Sequence, residues 1–306
     1  CCNTAVGYVS LTNNSSGANN SAVGHSALGA NTTGSNNAAF GCGALGANTT
    51  ASYNTAVGYN SLKTTITGAG NTGLGYRSLE LTTGDNNTGL GYEAGAANAG
   101  GASNTAVGKS ALCKNTTGNS NVAVGNDTLF ANTTADNNVA IGKQALTSNT
   151  TGTRNVAVGC GALLSNVNDN DNTGIGFATL VNSSGQSNTA VGSCALNANT
   201  TADNNTAVGM SALKANTTGT TNSAFGNYSL YSNTEGNDNM AFGYNALGLN
   251  LTGTNNVAMG RNALLANTTA SSNTAVGYNS LCANTTGTEN TASGYYSLTD
   301  NITGNY

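Results

Sequence analysis

Twelve of the asparagines that recur at one fixed place along this chain head an Asn-x-Ser/Thr triplet, the acceptor sequence for N-linked glycans on exposed loops of secreted proteins. Asn31, Asn48, Asn115, Asn132, Asn149, Asn199, Asn216, Asn267 and Asn284 are candidate acceptors on this pattern. Tyr59, Tyr76 and Tyr92 recur at equivalent places in three successive repeats, and such an aromatic column offers flat faces to sugar rings or to another chain. Gly41-Cys42-Gly43-Ala44-Leu45-Gly46 spells the GxGxxG phrase of dinucleotide sites. That phrase cradles phosphates only between a strand and a helix with an acidic residue downstream, and neither surrounds it. His25 is the single histidine, in a place taken elsewhere by Tyr, Lys or Asn, which suits a solvated side chain better than a general base or ligand. Asp85, Asp136 and Asp203, with Asp171, Asp238 and Glu289, recur near one turn but several repeats apart, so a solvated edge is expected rather than a calcium ladder. The seven cysteines form no CxxC pair and are read as small residues in small sites. No residue is therefore assigned to catalysis, to a cofactor or to a metal, and no enzyme is expected.

What must position these side chains is a repeat. An Asn-x-Ala-x-Gly frame runs from Asn3-Thr4-Ala5-Val6-Gly7 to Asn290-Thr291-Ala292-Ser293-Gly294 with a period of seventeen, except for sixteen-residue steps from Gly75 to Gly91 and from Gly176 to Gly192. A short fixed period signals a solenoid, in which each unit buries its apolar side against its neighbours. Positions are counted here from the frame glycine as zero. Position −1 is large and apolar in seventeen of eighteen repeats and position +4 is Leu in seventeen, so these two columns are expected to form the core, represented by Val57, Leu62, Val107, Leu112, Val208 and Leu213. Thr or Val at −3 is expected to share the inward face of a short strand with −1. Glycine, asparagine and threonine in each half of the unit argue against a helix. The fold class expected is all-β: a parallel β-solenoid of about eighteen coils, one per repeat, stacking to about 86 Å at about 4.8 Å per strand.

Asparagine stands at −4 in all eighteen repeats and at +7 in fifteen, where stacked coils would superpose identical amides into hydrogen-bonded ladders. Position −2 is only Ala or Gly and position +3 is only Ser, Ala or Thr. Strand alternation would point −2 outward, so a close-packed face for self-association is expected there. Residues 1–306 are expected to be one continuous repeat domain, a segment of a longer fibre. Charged residues are only 7% and the net charge is −4, which gives no electrostatic footprint for nucleic acid. Neither a membrane-spanning run nor a signal peptide is found, so membrane insertion is not expected.

The phrase Asn-[Thr/Ser/Val]-Ala-[Val/Ile/Phe]-Gly resembles the head repeats of trimeric autotransporter adhesins. Asn273-Thr274-Ala275-Val276-Gly277-Tyr278-Asn279-Ser280-Leu281, followed by Asn284-Thr285-Thr286-Gly287, is similar to tail-fibre and surface-fibre repeats of phages, bacteria and large algal viruses. The resemblance implies a parallel β-roll and a structural or adhesive shaft on a cell or virion surface, outside the cell, working by reach and display. The partners expected are further copies of the chain, as a homotrimer or an end-to-end filament, and surface glycans. A self-polymerising filament subunit is the alternative, and an ice-binding solenoid the second. The latter is weakened because the Asn-x-Thr row fails at Thr65, Thr82, Asn98, Asn166 and Ser183.

Overall fold

The computed structural model describes residues 2–305. The chain divides into two compact units, Cys1–Arg154 and Asn155–Tyr306. The first carries nine three-residue strands, from β1 (Thr4–Val6) to β9 (Val139–Ile141), and the second carries nine more, from β10 (Val156–Val158) to β18 (Thr291–Ser293). Within each unit every strand pairs in parallel with the strand of the next repeat. Thr4, Ala5 and Val6 face Ser21, Ala22 and Val23 in the first unit, and Thr189, Ala190 and Val191 face Thr206, Ala207 and Val208 in the second. The protein is all-β, a parallel β-solenoid with one coil per repeat, and no helix occurs among the described residues. Both sixteen-residue steps keep the pairing, with Thr72 against Thr88 and Thr173 against Thr189, because the missing residue is taken from the turn and not from the strand.

The interior differs from the expected one in which side of the strand faces it. Leu62, Leu112 and Leu213 at +4 are fully buried. Their expected companions Val57, Val107 and Val208 at −1 are only half-buried, and in the same column Phe242 is 56% and Ile141 40% exposed. The residues at −3 likewise lie at the surface, half-buried or exposed. The inward member of each strand is the alanine at −2, with Ala56, Ala106 and Ala207 at 0 to 1% exposure. The reason is width. A Cβ placed on Gly89, which occupies this column, would lie 2.7 Å from the Leu79 Cγ, and one on Gly73 would lie 3.2 Å from the Leu62 Cγ. The leucine of the preceding coil fills the lumen, so no side chain beyond a methyl group fits on the strand's inner face. The small residues at −2 and, for most coils, at +3 are small because the inside is narrow, and they present no outer face for self-association.

Four positions per coil hold positive φ and bend the chain into a closed loop. These are the frame glycine, +2, the leucine at +4 and the residue at −5, shown in one coil by Gly209 at 137°, Ser211 at 57° and Leu213 at 50°, with Asn204 at 59°. A left-handed leucine costs about 1–2 kcal/mol. It is retained because this turn drives the side chain into the lumen while the Leu213 N–H still donates to the Ser229 carbonyl of the next coil at 3.0 Å.

Two amide ladders complete the interior. At −4 the Asn222 backbone N–H donates to the Asn205 Oδ1 at 2.9 Å while its own Nδ2 donates to the Gly236 carbonyl at 2.8 Å. At +7 the Asn216 Nδ2 donates to the Asn199 Oδ1 at 3.0 Å and to the Gly219 carbonyl at 2.9 Å. Buried amides are thereby satisfied along the stack and across the turn at once. Where Thr65 interrupts the second column, its hydroxyl donates onward to the Thr82 carbonyl at 2.9 Å, and the buried Asn48 Oδ1 below it is left without a donor.

Candidate functional site

With the lumen filled, any contact chemistry lies on the outer columns, where a side chain stacks on its equivalents one coil away. Tyr59, Tyr76 and Tyr92 are brought together in this way. Successive ring centres are 5.5 and 5.1 Å apart and the planes are within 11° of parallel. Each ring is 42 to 50% exposed, so the stack presents edges and one continuous flank to solvent. Beside it the Arg77 side chain bonds Glu80 at 2.5 Å and reaches Glu93 at 3.6 Å. The hydrogen bond to Glu80 holds the Arg77 guanidinium more firmly protonated, and the Glu93 carboxylate pushes the Tyr92 phenol up. The Tyr92 ring therefore stays neutral at physiological pH. Changing Tyr59, Tyr76 and Tyr92 together to Ser is expected to abolish retention on immobilised glycans or polymer surfaces while leaving the far-ultraviolet β signal intact, since the same column already accepts Ser193 and Asn126. Unchanged retention in a pull-down would remove the stack as a contact surface.

The candidate glycan acceptors are a correction. Asn31, Asn48, Asn115, Asn132, Asn149, Asn199, Asn216, Asn267 and Asn284 all have 0% exposure, and their side chains form the inner ladder. The Nδ2 atom that would carry a glycan instead donates inward, as from Asn48 to Asn31 Oδ1 at 2.7 Å and from Asn267 to Asn250 Oδ1 at 2.7 Å. The triplets arise because the ladder needs Asn and the following turn favours Thr. The threonine after the asparagine is also committed to the stack: Thr200 Oγ1 donates to the Thr217 carbonyl at 2.9 Å, and Thr217 Oγ1 to that of Thr234 at 3.0 Å.

The carboxylates at −6 act as caps. Asp85, Asp136 and Asp203 each accept the backbone N–H of the residue one coil earlier, at 2.8, 2.6 and 2.7 Å from Ala69, Asn119 and Gln186. Asp171, Asp238 and Glu289 at −5 sit in the left-handed turn at φ of 55 to 62°. Among the described residues no group of three His, Cys, Asp or Glu side chains is placed to hold a metal ion. Register produces one pair that spacing in sequence concealed: the exposed His25 ring stacks on Tyr8 at 5.5 Å and its Nδ1 lies 4.0 Å from the Cys42 Sγ. Cys42 and Cys160 are exposed and Cys113, Cys194 and Cys282 half-buried, so the thiols line the outside rather than fill interior sites. Cys1 lies outside the described residues. Burial pushes the Cys113 and Cys282 thiols up, away from the reactive thiolate form.

The outer face of the strands has its own composition. Neither −1 nor −3 carries a charged residue in any of the eighteen strands. In each unit the −1 side chains form an uninterrupted column of Val, Leu, Ile, Phe and Met, ending only at Ser293, and the Phe225 and Phe242 rings touch at 5.7 Å between centres. No helix of the described residues is long and apolar enough to cross a membrane. Comparison of the chain with known protein families, with curated proteins and with solved structures finds no match.

Proposed function

We propose that this chain is a structural shaft of an extracellular or virion-surface fibre, assembled from parallel copies of itself, with the homotrimer as the preferred number. The observation that carries the reading is the uncharged apolar column at −1. A stripe of partly exposed Phe, Ile, Leu, Met and Val recurring at every coil is more than scattered surface hydrophobicity and calls for a covering partner. A second copy supplies one with the same spacing of about 4.8 Å, so that side chains interleave coil by coil without any new pattern. Surface display then rests on the outward aromatic stacks that each unit carries.

Sedimentation equilibrium tests this directly. The wild-type chain is expected to be oligomeric at micromolar concentration, and a Phe225→Ser, Phe242→Ser, Met259→Ser chain is expected to sediment mostly as monomer with unchanged circular dichroism, because Ser293 shows the column tolerates serine. A folded wild-type monomer at that concentration would refute the reading. A mass that keeps rising with concentration would favour the end-to-end filament instead.

A further inference from the structure

We infer that the unit Asn155–Tyr306 carries a binding notch for a single acidic sugar ring, a pyranose bearing a carboxylate, at the place where Gly248 interrupts an outer column. Position +5 holds half-buried side chains in this unit, among them Lys214, Tyr231 and Leu265, and the Lys214 ammonium reaches over the Tyr231 ring of the next coil. Gly248 falls between Tyr231 and Leu265 and has no side chain to contribute. The gap opens a notch of about 430 Å³, walled by Tyr228, Tyr231, Tyr244, Asn245, Leu249 and Leu265.

The walls are fixed. Tyr228 meets Tyr231 at 5.6 Å and 63°, and meets Tyr244 at 6.0 Å and 79°, so two rings stand edge-on to a third and brace one another. Aromatic faces and two leucines suit the apolar C–H face of a pyranose. The half-buried Asn245 side-chain amide carries no hydrogen bond within the protein and offers both a donor and an acceptor to sugar hydroxyls. Charge selects among sugars. No carboxylate lines the notch, whereas the Lys214 ammonium lies 5.7 Å from the Tyr231 ring centre and the Arg261 guanidinium 5.5 Å from that of Tyr244. Two of the eight basic residues of the chain thus flank one aromatic cluster, which favours an anionic ligand. The site is separate from the Tyr59–Tyr76–Tyr92 stack and does not depend on self-association.

Saturation-transfer NMR on the intact chain tests it with three probes: D-glucuronate, methyl β-D-glucopyranoside and N-acetyltyrosinamide. Glucuronate is expected to receive saturation most strongly, the neutral glucoside less, and tyrosinamide none. Gly248→Leu, which fills the notch with the residue the column already holds at Leu265, should weaken glucuronate about tenfold or more. Tyr231→Ser provides a second variant should the first fail to fold, since Thr147 and Thr299 show that the column accepts a small hydroxylated side chain. Arg261→Gln should reduce glucuronate more than glucoside. Absence of binding by the wild type, or binding unaffected by both notch variants, overturns the proposal. Equal binding of the two sugars refutes the acidic class, and binding of tyrosinamide alone would assign the notch to a protein partner.

Discussion

A Leu213→Asp chain is expected to lose the ordered structure of its unit, whereas Val208→Asp in the neighbouring strand is expected to fold. Leu213 is fully buried, as are Leu196 and Leu230 at the same position of the adjoining coils, so a carboxylate there would sit in an apolar column away from water. Substitutions that bury an unpaired charge belong to the most damaging class, at about 4 kcal/mol or more. Val208 is half-exposed on the outer face, so its aspartate can remain solvated, and the cost there is expected within about 1 kcal/mol in the monomer. Urea unfolding followed by circular dichroism would separate the two. Equal destabilisation by both would restore the arrangement in which −1 and +4 share the core.

The second large effect is expected at the frame glycine. Gly209→Ala places a methyl group 2.6 Å from the Gly226 carbonyl carbon and oxygen, in a backbone at φ 137° that L-residues rarely adopt. The conformational term alone is about 1–3 kcal/mol, and the clash is with main chain that cannot move without breaking the coil above. The expected total is about 3 kcal/mol or more. Ser211→Ala, at the nearby left-handed +2 position with φ 57°, serves as the comparison, with a loss within about 0.5 kcal/mol because serine already carries a Cβ in that conformation. Thermal melting of both variants checks the ordering, and a Gly209→Ala chain that melts with the wild type would contradict this account of the turn.

The period made the coil, the parallel stacking and the asparagine ladders readable before any coordinates, because identical residues one coil apart must lie side by side. Facing was harder. A short strand with alternating small and large residues can put either set inside, and the habit of placing the larger apolar residue in the core chose wrongly here. The corrective signal lies in size variation. A packed lumen requires constant volume, and +4 is almost always Leu, −2 never exceeds Ala and −4 is always Asn, whereas −1 ranges from Ser293 to Phe242. Variable bulk marks an outer column. The acceptor triplets misled for a related reason: Asn with Thr looks like an exposed loop until the amide is seen to be structural, and only the 0% exposure of residues such as Asn115 and Asn216 distinguishes the two. The left-handed leucine left no trace in composition, since Leu is an unfavourable choice for that backbone and is kept for its side chain.

The tolerance of both sixteen-residue steps has a consequence for how such a molecule changes over generations. Pairing from Thr72 to Thr88 is as regular as pairing across seventeen residues, so slippage during gene copying that removes a turn residue, or adds or deletes a whole repeat, leaves neighbouring coils able to dock. Each duplicated repeat would extend a unit by about 4.8 Å and return the outer columns to the same side. Length is then inherited as a copy number, adjustable in steps of one coil, while the faces that meet a partner remain constant.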